Sequence, residues 1–333
     1  MKTVISTDRV AGVELLRKGC VVALPTETVY GLAAKAMNPI AVAKIFEAKE
    51  RPRFDPLIVH LPNRDWLGKI VDVPAEDRQL IGKLIDKFWP GPFTMILPKR
   101  EIIPDIITAG LNMVAVRVSA HPVFSEIVDE LDEPLAAPSA NRFGRISPTT
   151  AQHVLAELDG RIPLIIDAGP TQHGIESTIV GIRDGEIMIF RRGPITHEQL
   201  SQFAEVSSVM GTSTISSPGQ LPSHYAPKTP LRLIDSAEDF LLERNERAGL
   251  LAWHARRGDL QIAPRRTGDC RSLKFAAVRN LSEGQDLREA AANLFRHMRE
   301  LDALGLDLIV AERVPSRGLG AAIMDRLERA SHR

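Results

Sequence analysis

The chain has 333 residues, and its 42 lysine and arginine residues are balanced by 42 aspartate and glutamate residues. This length predicts two domains, and the balanced charge gives no argument for a nucleic-acid or membrane partner, so any anion site must be local. The two cysteines, Cys20 and Cys270, lie far apart and exclude a disulfide framework and a cysteine-rich zinc site. No apolar run approaches ~18 residues and the N-terminus lacks an apolar signal segment, which predicts a soluble, cytosolic protein.

The hydrophobic periodicity of the first two hundred residues predicts alternating helices and strands, which is typical of an α/β domain. Turn signals support this interpretation. Asp184-Gly185 separates two apolar runs as a hairpin turn, and Thr196 with Gln199 forms a capping box. The predicted helices span residues 7–18, 38–51 and 74–88, and the predicted strands span residues 20–24, 57–59, 93–97, 114–118, 164–167, 179–182 and 187–191.

Three cations follow the second predicted helix, at Lys49, Arg51 and Arg53. Lys49 comes after Phe46 and Ile45 at helical spacing, which places it on the apolar face of the helix rather than on the solvent face. Basic residues near a helix C-terminus often do no more than complement the helix dipole. A cluster of them at a helix-to-strand crossover, with one on the apolar face, favours a phosphate-binding site.

Arg117 interrupts an otherwise apolar strand that is predicted to be buried on both sides. An unpaired buried charge is very costly, so this arginine needs an anionic partner or an exit to solvent. We therefore predict that Arg117 clamps a carboxylate or a phosphate.

Small polar residues follow two of the predicted strands, at residues 25–32 and 134–144. Hydroxyl groups at such positions either satisfy local backbone groups or face a ligand, and position alone does not decide between these roles. Ser147 stands in a Ser-Pro-Thr-Thr segment, and the local sequence favours a structural role for it as a cap of the next helix.

The composition changes near residue 207, where a segment rich in serine, threonine and glycine begins. We predict a first domain over residues 1–206, a linker over 207–229 and a second domain over 230–333. The linker carries His224 and Tyr225 between prolines, which a plain tether would not need. The second domain alternates strands and helices as a small parallel α/β unit, and it has neither a glycine-rich dinucleotide motif nor a Walker lysine.

Eight motifs occur in order along nearly the whole chain, and together they resemble the threonylcarbamoyl-AMP synthases, the YrdC-like family, in its longer two-domain form. The resemblance implies an N-terminal twisted mixed sheet with flanking helices and a smaller, Rossmann-like parallel α/β domain at the C-terminus. The motifs are Pro25–Leu32, Lys49-x-Arg51 with Pro56–His60, Trp89–Pro92, Val114–Arg117, Ala137–Asn141, Ser147–Thr149, Glu176–Thr178, and Ser217–Gly219 with His224–Lys228.

The resemblance implies a reaction in which L-threonine and bicarbonate form an N-carboxy adduct that attacks the α-phosphate of ATP. The products are threonylcarbamoyl-AMP and pyrophosphate, and the adenylate serves the threonylcarbamoyladenosine modification of tRNA through a downstream transfer machinery. Magnesium accompanies the ATP. A weak direct contact with tRNA is a further expectation, and no membrane partner is expected.

The resemblance also implies roles for individual residues, with Lys49 and Arg51 as the catalytic pair. It implies no protein ligand for a metal ion, and it makes the linker a lid over the active site. The implied nucleotide contacts are Lys49, Arg51, Arg53, Met113, Ser139, Asn141, Ser147, Arg191, His224 and Tyr225, and the implied threonine contacts are Thr26, His60, Arg117, Ala137 and Ser177.

Two departures from the family pattern concern charge: Asp55 stands where relatives more often carry asparagine, and Arg192 stands where proline is common. Three other interpretations remain open from the sequence. The first is that the chain is an RNA-binding module of the same fold without synthase activity. The second is that it is a carbamoyl-transfer maturation factor, although the presence of only two, isolated cysteines argues against this. The C-terminal domain, in turn, is a structural support or a docking surface, because its sequence shows no chemistry of its own.

Overall fold

The computed structural model describes residues 2–209, 225–237, 240, 246–253 and 275–332. The chain divides into two compact units: the first comprises Met1–Phe143 and Ser147–Leu221, and the second comprises Gly144–Ile146 and Pro222–Arg333. Residues 210–224 of the predicted linker lie outside the described part of the chain, so the linker boundaries stay a prediction. No helix among the described residues is both long and apolar enough to cross a membrane.

The first unit is a mixed α/β fold with one large sheet. Its strands are β1 (Val4–Ser6), β2 (Val22–Leu24), β3 (Gly31–Lys35), β4 (Ile58–His60), β5 (Phe93–Pro98), β6 (Met113–Arg117), β7 (Leu135–Ala136), β8 (Leu164–Ile166), β9 (Thr178–Arg183), β10 (Glu186–Arg191) and β11 (Val206–Ser208). Its helices are α1 (Arg9–Arg17), α2 (Pro39–Lys49), α3 (Leu67–Ile70), α4 (Arg78–Phe88), α5 (Asp105–Thr108), α6 (Pro122–Leu131), α7 (Ala151–Leu158) and α8 (His197–Leu200).

The strand order of this sheet is β1-β8-β2-β3-β7-β4-β6-β5-β9-β10-β11, with parallel and antiparallel neighbours. The predicted twisted mixed sheet is therefore confirmed. The hairpin prediction is also confirmed, because Asp184 and Gly185 adopt φ values of 53° and 78° between β9 and β10. Such left-handed conformations at both central residues are what the tightest hairpin turns require.

Among the described residues, the second unit has a parallel sheet in which β12 (Leu231–Ile234), β15 (Leu308–Glu312), β13 (Ala248–Ala252) and β14 (Ala277–Asn280) follow one another in that order. This confirms the predicted Rossmann-like parallel unit, and a long helix of this unit begins after its N-cap Asp286. The apolar stripe of that helix is buried. Its described helices are α9 (Leu287–Asp302) and α10 (Gly320–Ser331).

The central strands of the large sheet separate a main hydrophobic core from a smaller apolar cluster. Successive side chains of a strand point to opposite faces, so Val59, Met95 and Val116 enter the main core with helices α2, α4 and α7. The smaller cluster on the other face consists of Ile58, Ile96, Ala115 and Ile179, with Phe190 packed against it. His60 and Arg117 lie two residues beyond Ile58 and Ala115, and therefore on the same face as this cluster.

Helix α2 positions Lys49, the first residue of the predicted cation cluster, which is the last residue of the helix. Asn38 caps its N-terminus, and Oδ1 accepts hydrogen bonds of 3.1 Å from the N–H groups of Ile40 and Ala41. The helix ends at Lys49, and its C-cap Glu50 adopts a left-handed conformation with φ 53° before Pro52. Lys49 is 1% exposed, which confirms that it lies on the inward face of the helix.

We expect Asn38→Ala to lower the free energy of unfolding by about 1 kcal/mol, because two N–H groups of the first turn lose their acceptor. Urea denaturation measures this change. Asn38→Asp keeps the acceptor oxygen and serves as the matched control, so an equal loss of stability in both variants would contradict the capping role.

Candidate active site

Lys49 is a fully buried lysine that holds a neighbouring loop. Its Nζ donates hydrogen bonds to the main-chain carbonyl oxygens of Ser139 and Asn141. Burial lowers the pKa of Lys49 well below its usual value, the charge of Arg51 lowers it further, and Asp55 and Glu157 oppose this. The structure therefore brings Lys49, the first residue of the predicted Lys49–Arg51 pair, into contact with the predicted Ser139 and Asn141 segment.

Arg51 is held against its own loop. Its Nε donates to the carbonyl oxygen of Asp55 at 3.2 Å, and Nη2 donates to that of Pro56 at 2.8 Å. Its Nη2 also forms an ion pair with Asp55 Oδ2 at 2.8 Å. Arg53, by contrast, is exposed, and the structure does not place it in this buried cluster.

The register of the large sheet aligns predicted threonine and nucleotide residues in one transverse row. His60 of β4 pairs with Arg117 of β6. In strand β5, Met95 pairs with Val116, the residue before Arg117 in β6, so Thr94 is level with Arg117 in the next strand. Thr94 in turn pairs with Ile179 of β9. Arg191 of β10 pairs with the same Ile179. Residues far apart in sequence therefore lie side by side across five strands.

Arg117 has an anionic partner within the protein. Its Nη2 forms a buried ion pair with Glu27, and its Nη1 donates to Thr28 Oγ1 at 3.2 Å. The hydroxyl of Ser119 donates to the other carboxylate oxygen of Glu27. The prediction that this arginine needs an anionic partner is confirmed, and the partner is a residue to which the sequence analysis gave no role.

Glu27 is ionised at neutral pH even though it is buried. Burial raises the pKa of its carboxyl group, but the charge of Arg117 and hydrogen bonds from Ser119 and from backbone N–H groups lower it to about 2. The signal in the sequence that could have identified Glu27 is its place between Thr26 and Thr28, as the carboxylate of the first hydroxyl-rich segment.

His60 is a buried, neutral imidazole. Burial lowers its pKa to about 3, and the charge of Arg117 acts in the same direction. The ring lies 4.7 Å from that of Phe124, between centroids. Its Nδ1 has no hydrogen-bond partner among the described residues. A neutral ring nitrogen in this position is suited to a hydrogen bond with a ligand.

Ser177 connects the two predicted substrate regions. Arg191 donates from Nε to the carbonyl oxygen of Ser177 and from Nη2 to its hydroxyl, both at 3.0 Å. The same hydroxyl lies 2.8 Å from that of Thr94. A residue predicted to contact threonine is therefore in direct contact with one predicted to contact the nucleotide.

Three other predicted residues have structural surroundings that leave their roles as predictions. Thr26 Oγ1 donates to the carbonyl oxygen of Val29 at 2.6 Å and accepts from the N–H groups of Thr28 and Val29, so its own turn already satisfies it. Ala137 follows β7, and its N–H donates to Ile58. Met113 is half-exposed at the end of β6 opposite Arg117.

Ser147 does not cap the next helix, so that expectation is wrong. Thr150 is the N-cap of α7, and its hydroxyl accepts from the N–H of His153 at 3.2 Å. The helix starts at Ala151, too far along the chain for Ser147 to reach its first turn. The buried Ser147 hydroxyl instead donates to Glu176, and Asn141 Nδ2 donates to the carbonyl oxygen of Arg142 at 2.7 Å.

The predicted lid residues are only partly within the described chain. His224 lies outside the described residues. Tyr225 belongs to the second unit, where it is buried and stacks on Phe295 with 5.4 Å between ring centroids. Its predicted contact with a nucleotide stays a prediction. In the part of the chain that the structure describes, no group of three His, Cys, Asp or Glu residues could hold a metal ion.

Comparisons with known proteins extend over nearly the whole chain. A family model for the Sua5, YciO and YrdC proteins, described as telomere recombination, matches residues 14–193. A second model, described as the C-terminal domain of threonylcarbamoyl-AMP synthase, matches residues 195–332.

Similar proteins from an archaeon and a bacterium are named threonylcarbamoyl-AMP synthase. The threonylcarbamoyl-AMP synthase of Pyrococcus abyssi is 38% identical over 95% of this chain and 92% of its own length. That of Bacillus subtilis is 38% identical over 95% of this chain and 91% of its own length. The crystal structure of Pyrococcus abyssi Sua5 complexed with L-threonine has a TM-score of 0.84 and 33% identity, and the match covers 99% of this chain and 97% of that one.

We expect Glu27→Gln to lower the free energy of unfolding by about 3 kcal/mol at pH 7, because Arg117 would lose its buried counter-charge. The pKa of Glu27 in the folded protein, about 2, lies below the ordinary value of 4.5. Its stabilising contribution is therefore complete above pH 4.5 and is lost as the pH falls through 2. In urea denaturation, the difference in unfolding free energy between wild type and Glu27→Gln should decrease as the pH is lowered from 7 to 3.

Glu126→Gln is the control for this measurement, because Glu126 forms an exposed ion pair with Arg9. Surface pairs contribute little to stability. A loss of stability for Glu27→Gln that is independent of pH would contradict the buried ion pair.

Gly193 has no space for a side chain. A Cβ atom there would lie 2.6 Å from the carbonyl oxygen of Glu176 and 2.6 Å from the carbonyl carbon of Ser177. We expect Gly193→Ala to lower the unfolding free energy by roughly 2 kcal/mol, because the Ser177 segment must move. Gly82→Ala in α4, where a Cβ meets open space, is the control and should stabilise the helix. Equal melting temperatures for the two variants would contradict this.

Proposed function

This chain belongs to the Sua5–YciO–YrdC family, and from that membership we propose that it is a threonylcarbamoyl-AMP synthase. The enzyme forms threonylcarbamoyl-AMP, pyrophosphate and water from L-threonine, bicarbonate and ATP, and the water is lost when the amine and bicarbonate form the carbamate. The structural observation that carries the proposal is the transverse row in the sheet, which runs from His60 and Arg117 through Thr94 and Ile179 to Arg191. The relatives that match nearly the whole chain are named threonylcarbamoyl-AMP synthase, which favours a synthase over an RNA-binding module of the same fold.

Arg117 would bind the carboxylate of threonine. Glu27 and Thr28 already hold its guanidinium, so the cation is oriented before the substrate arrives. Such preorganisation removes the cost of ordering a long side chain during the reaction. His60 is neutral and lies beside Arg117, so it would contribute a hydrogen bond to the amino acid without adding a positive charge near the nucleophile.

Lys49, Arg51 and Arg191 would bind the phosphates of ATP. All three are buried, and in a water-poor site the charge of a cation acts more strongly on developing negative charge than it does in water. The arrival of the triphosphate would raise the pKa of Lys49 from its lowered value. Nucleotide binding should therefore be coupled to the charge of this lysine.

The proposal also includes bicarbonate as a substrate, a downstream acceptor of the adenylate, and Mg²⁺. Bicarbonate would supply the carbamate carbon, and the adenylate would pass to the downstream tRNA threonylcarbamoyl-transfer machinery. Mg²⁺ would arrive with the nucleotide, held by phosphate oxygens and water, as is usual for ions bound to ATP. The carboxylate of Asp55 lies beside these cations but is already paired with Arg51, which fits an ion held by the nucleotide.

The test is detection by mass spectrometry of threonylcarbamoyl-AMP from ATP, threonine and bicarbonate without RNA. We expect Lys49→Ala to reduce product formation by a factor of 10² or more, because it removes a charge that the transition state needs. Arg117→Ala should mainly raise KM for threonine. Arg100→Ala is the control, since Arg100 forms a half-exposed pair with Asp72. Full product from both active-site variants, or pyrophosphate release without threonine, would contradict the proposal.

A further inference from the structure

Asp55 is a buried carboxylate for which the proposed reaction has no role. It is 1% exposed and lies on the loop between α2 and β4. Its Oδ2 is 2.8 Å from Nη2 of Arg51, yet the alignment is not that of a hydrogen bond, and neither carboxylate oxygen has a hydrogen-bond donor among the described residues. The carboxylate is therefore held mainly by charge.

The charges around Asp55 are those assigned to the phosphates of ATP. Burial raises the pKa of its carboxyl group, while Arg51, Lys49 and Arg191 lower it, in that order of strength. Asp55 in turn favours the charged form of Lys49. One carboxylate thus acts on all three cations, and it carries the same sign of charge as the ligand that these cations would bind.

We propose that Asp55 is an internal counter-anion of the phosphate site. Without nucleotide, it neutralises part of the charge of Lys49, Arg51 and Arg191 and keeps the guanidinium of Arg51 against the loop. With nucleotide, it repels the phosphates and so limits how tightly they bind. The effect is largest for pyrophosphate, a small and highly charged product, and Asp55 therefore promotes its release.

A different role for Asp55 would be that of a direct ligand to the Mg²⁺ ion on the phosphates. The contact with Arg51 favours the counter-anion, because a guanidinium at 2.8 Å from the carboxylate disfavours a second cation there. The two roles predict opposite effects of removing the charge. The counter-anion weakens phosphate binding, whereas a metal ligand would strengthen it whenever Mg²⁺ is present.

The experiment is calorimetric titration of the full-length protein with inorganic pyrophosphate, first with a chelator and then with Mg²⁺. We expect Asp55→Asn, which keeps the shape and removes the charge, to bind metal-free pyrophosphate on the order of tenfold more tightly. Asp55→Glu restores the charge and should bind as weakly as wild type. Asp86→Asn is the matched control, since Asp86 forms an exposed pair with Arg64, and it should leave the affinity unchanged.

Thermal denaturation gives a second readout. The unliganded Asp55→Asn protein should melt at a lower temperature than wild type, and pyrophosphate should raise that temperature by more than it does in wild type. If the variant folds only when pyrophosphate is present, the counter-anion role is supported. Failure to fold even with pyrophosphate would overturn it.

The inference rests on the proposed function only in assigning these cations to phosphates, and the outcomes separate the two. Wild-type protein that binds pyrophosphate while Asp55→Asn binds it equally or more weakly would overturn the counter-anion alone. Weaker binding confined to solutions with Mg²⁺ would assign Asp55 to the metal ion and likewise overturn it. Wild-type protein that binds neither ATP nor pyrophosphate would overturn both.

Discussion

Arg117 ends a central strand of the large sheet, where water is scarce and the adjacent residues of the strand are apolar. Its charge is tolerated there because Glu27 lies against it, and Glu27 is tolerated because Ser119 and backbone N–H groups donate to it. Removing either charge leaves the other one buried without compensation, and removing the Ser119 hydroxyl takes one hydrogen bond from Glu27. The geometry of the threonine region in the proposed reaction depends on this pair.

Two of the buried carboxylates of the site, Glu27 and Asp55, differ in a way that suggests different tasks. Glu27 accepts several hydrogen bonds and its pKa is lowered, so its charge is permanent and its position fixed. Asp55 has no hydrogen-bond donor among the described residues, and its pKa is raised. The first orients a cation. Asp55 reduces the net positive charge of Lys49, Arg51 and Arg191. Because no hydrogen bond from the described residues fixes its carboxylate, it can move when a ligand binds.

Local patterns in the sequence predicted much of the fold and part of the site. Lys49 could be placed on the inward face because helical spacing from Ile45 is a short-range property, and Arg117 could be predicted to need an anion from its apolar neighbours alone. The identity of that anion was not predictable, because Glu27 is 90 residues away in sequence and reaches Arg117 only through the sheet.

Two further differences between prediction and structure, at strand β3 and at Ser147, also arise because contacts distant in sequence determine the local conformation. Strand β3 was not predicted, since Gly31-Leu-Ala-Ala-Lys35 has neither β-branched residues nor alternation, and its pairing with β2 and β7 determines its conformation. Ser147 was interpreted as a cap because its neighbours are typical of helix starts. The actual start lies later, at Thr150, and which of several hydroxyls caps a helix is decided by the packing of the whole segment.

Strand β4 has only three residues, and it joins the loop of Arg51 and Asp55 to His60. A strand advances about 3.3 Å per residue and is stiff over this length. In the proposed reaction this short strand sets the separation between bound phosphates and bound amino acid. A β-amino acid, whose amine is one carbon further from its carboxylate, would carry its carbamate about 1.5 Å out of line, and an error of 1 Å can cost a factor of 10². The enzyme would thus distinguish α-amino acids from β-amino acids by backbone length, independently of any contact with the side chain.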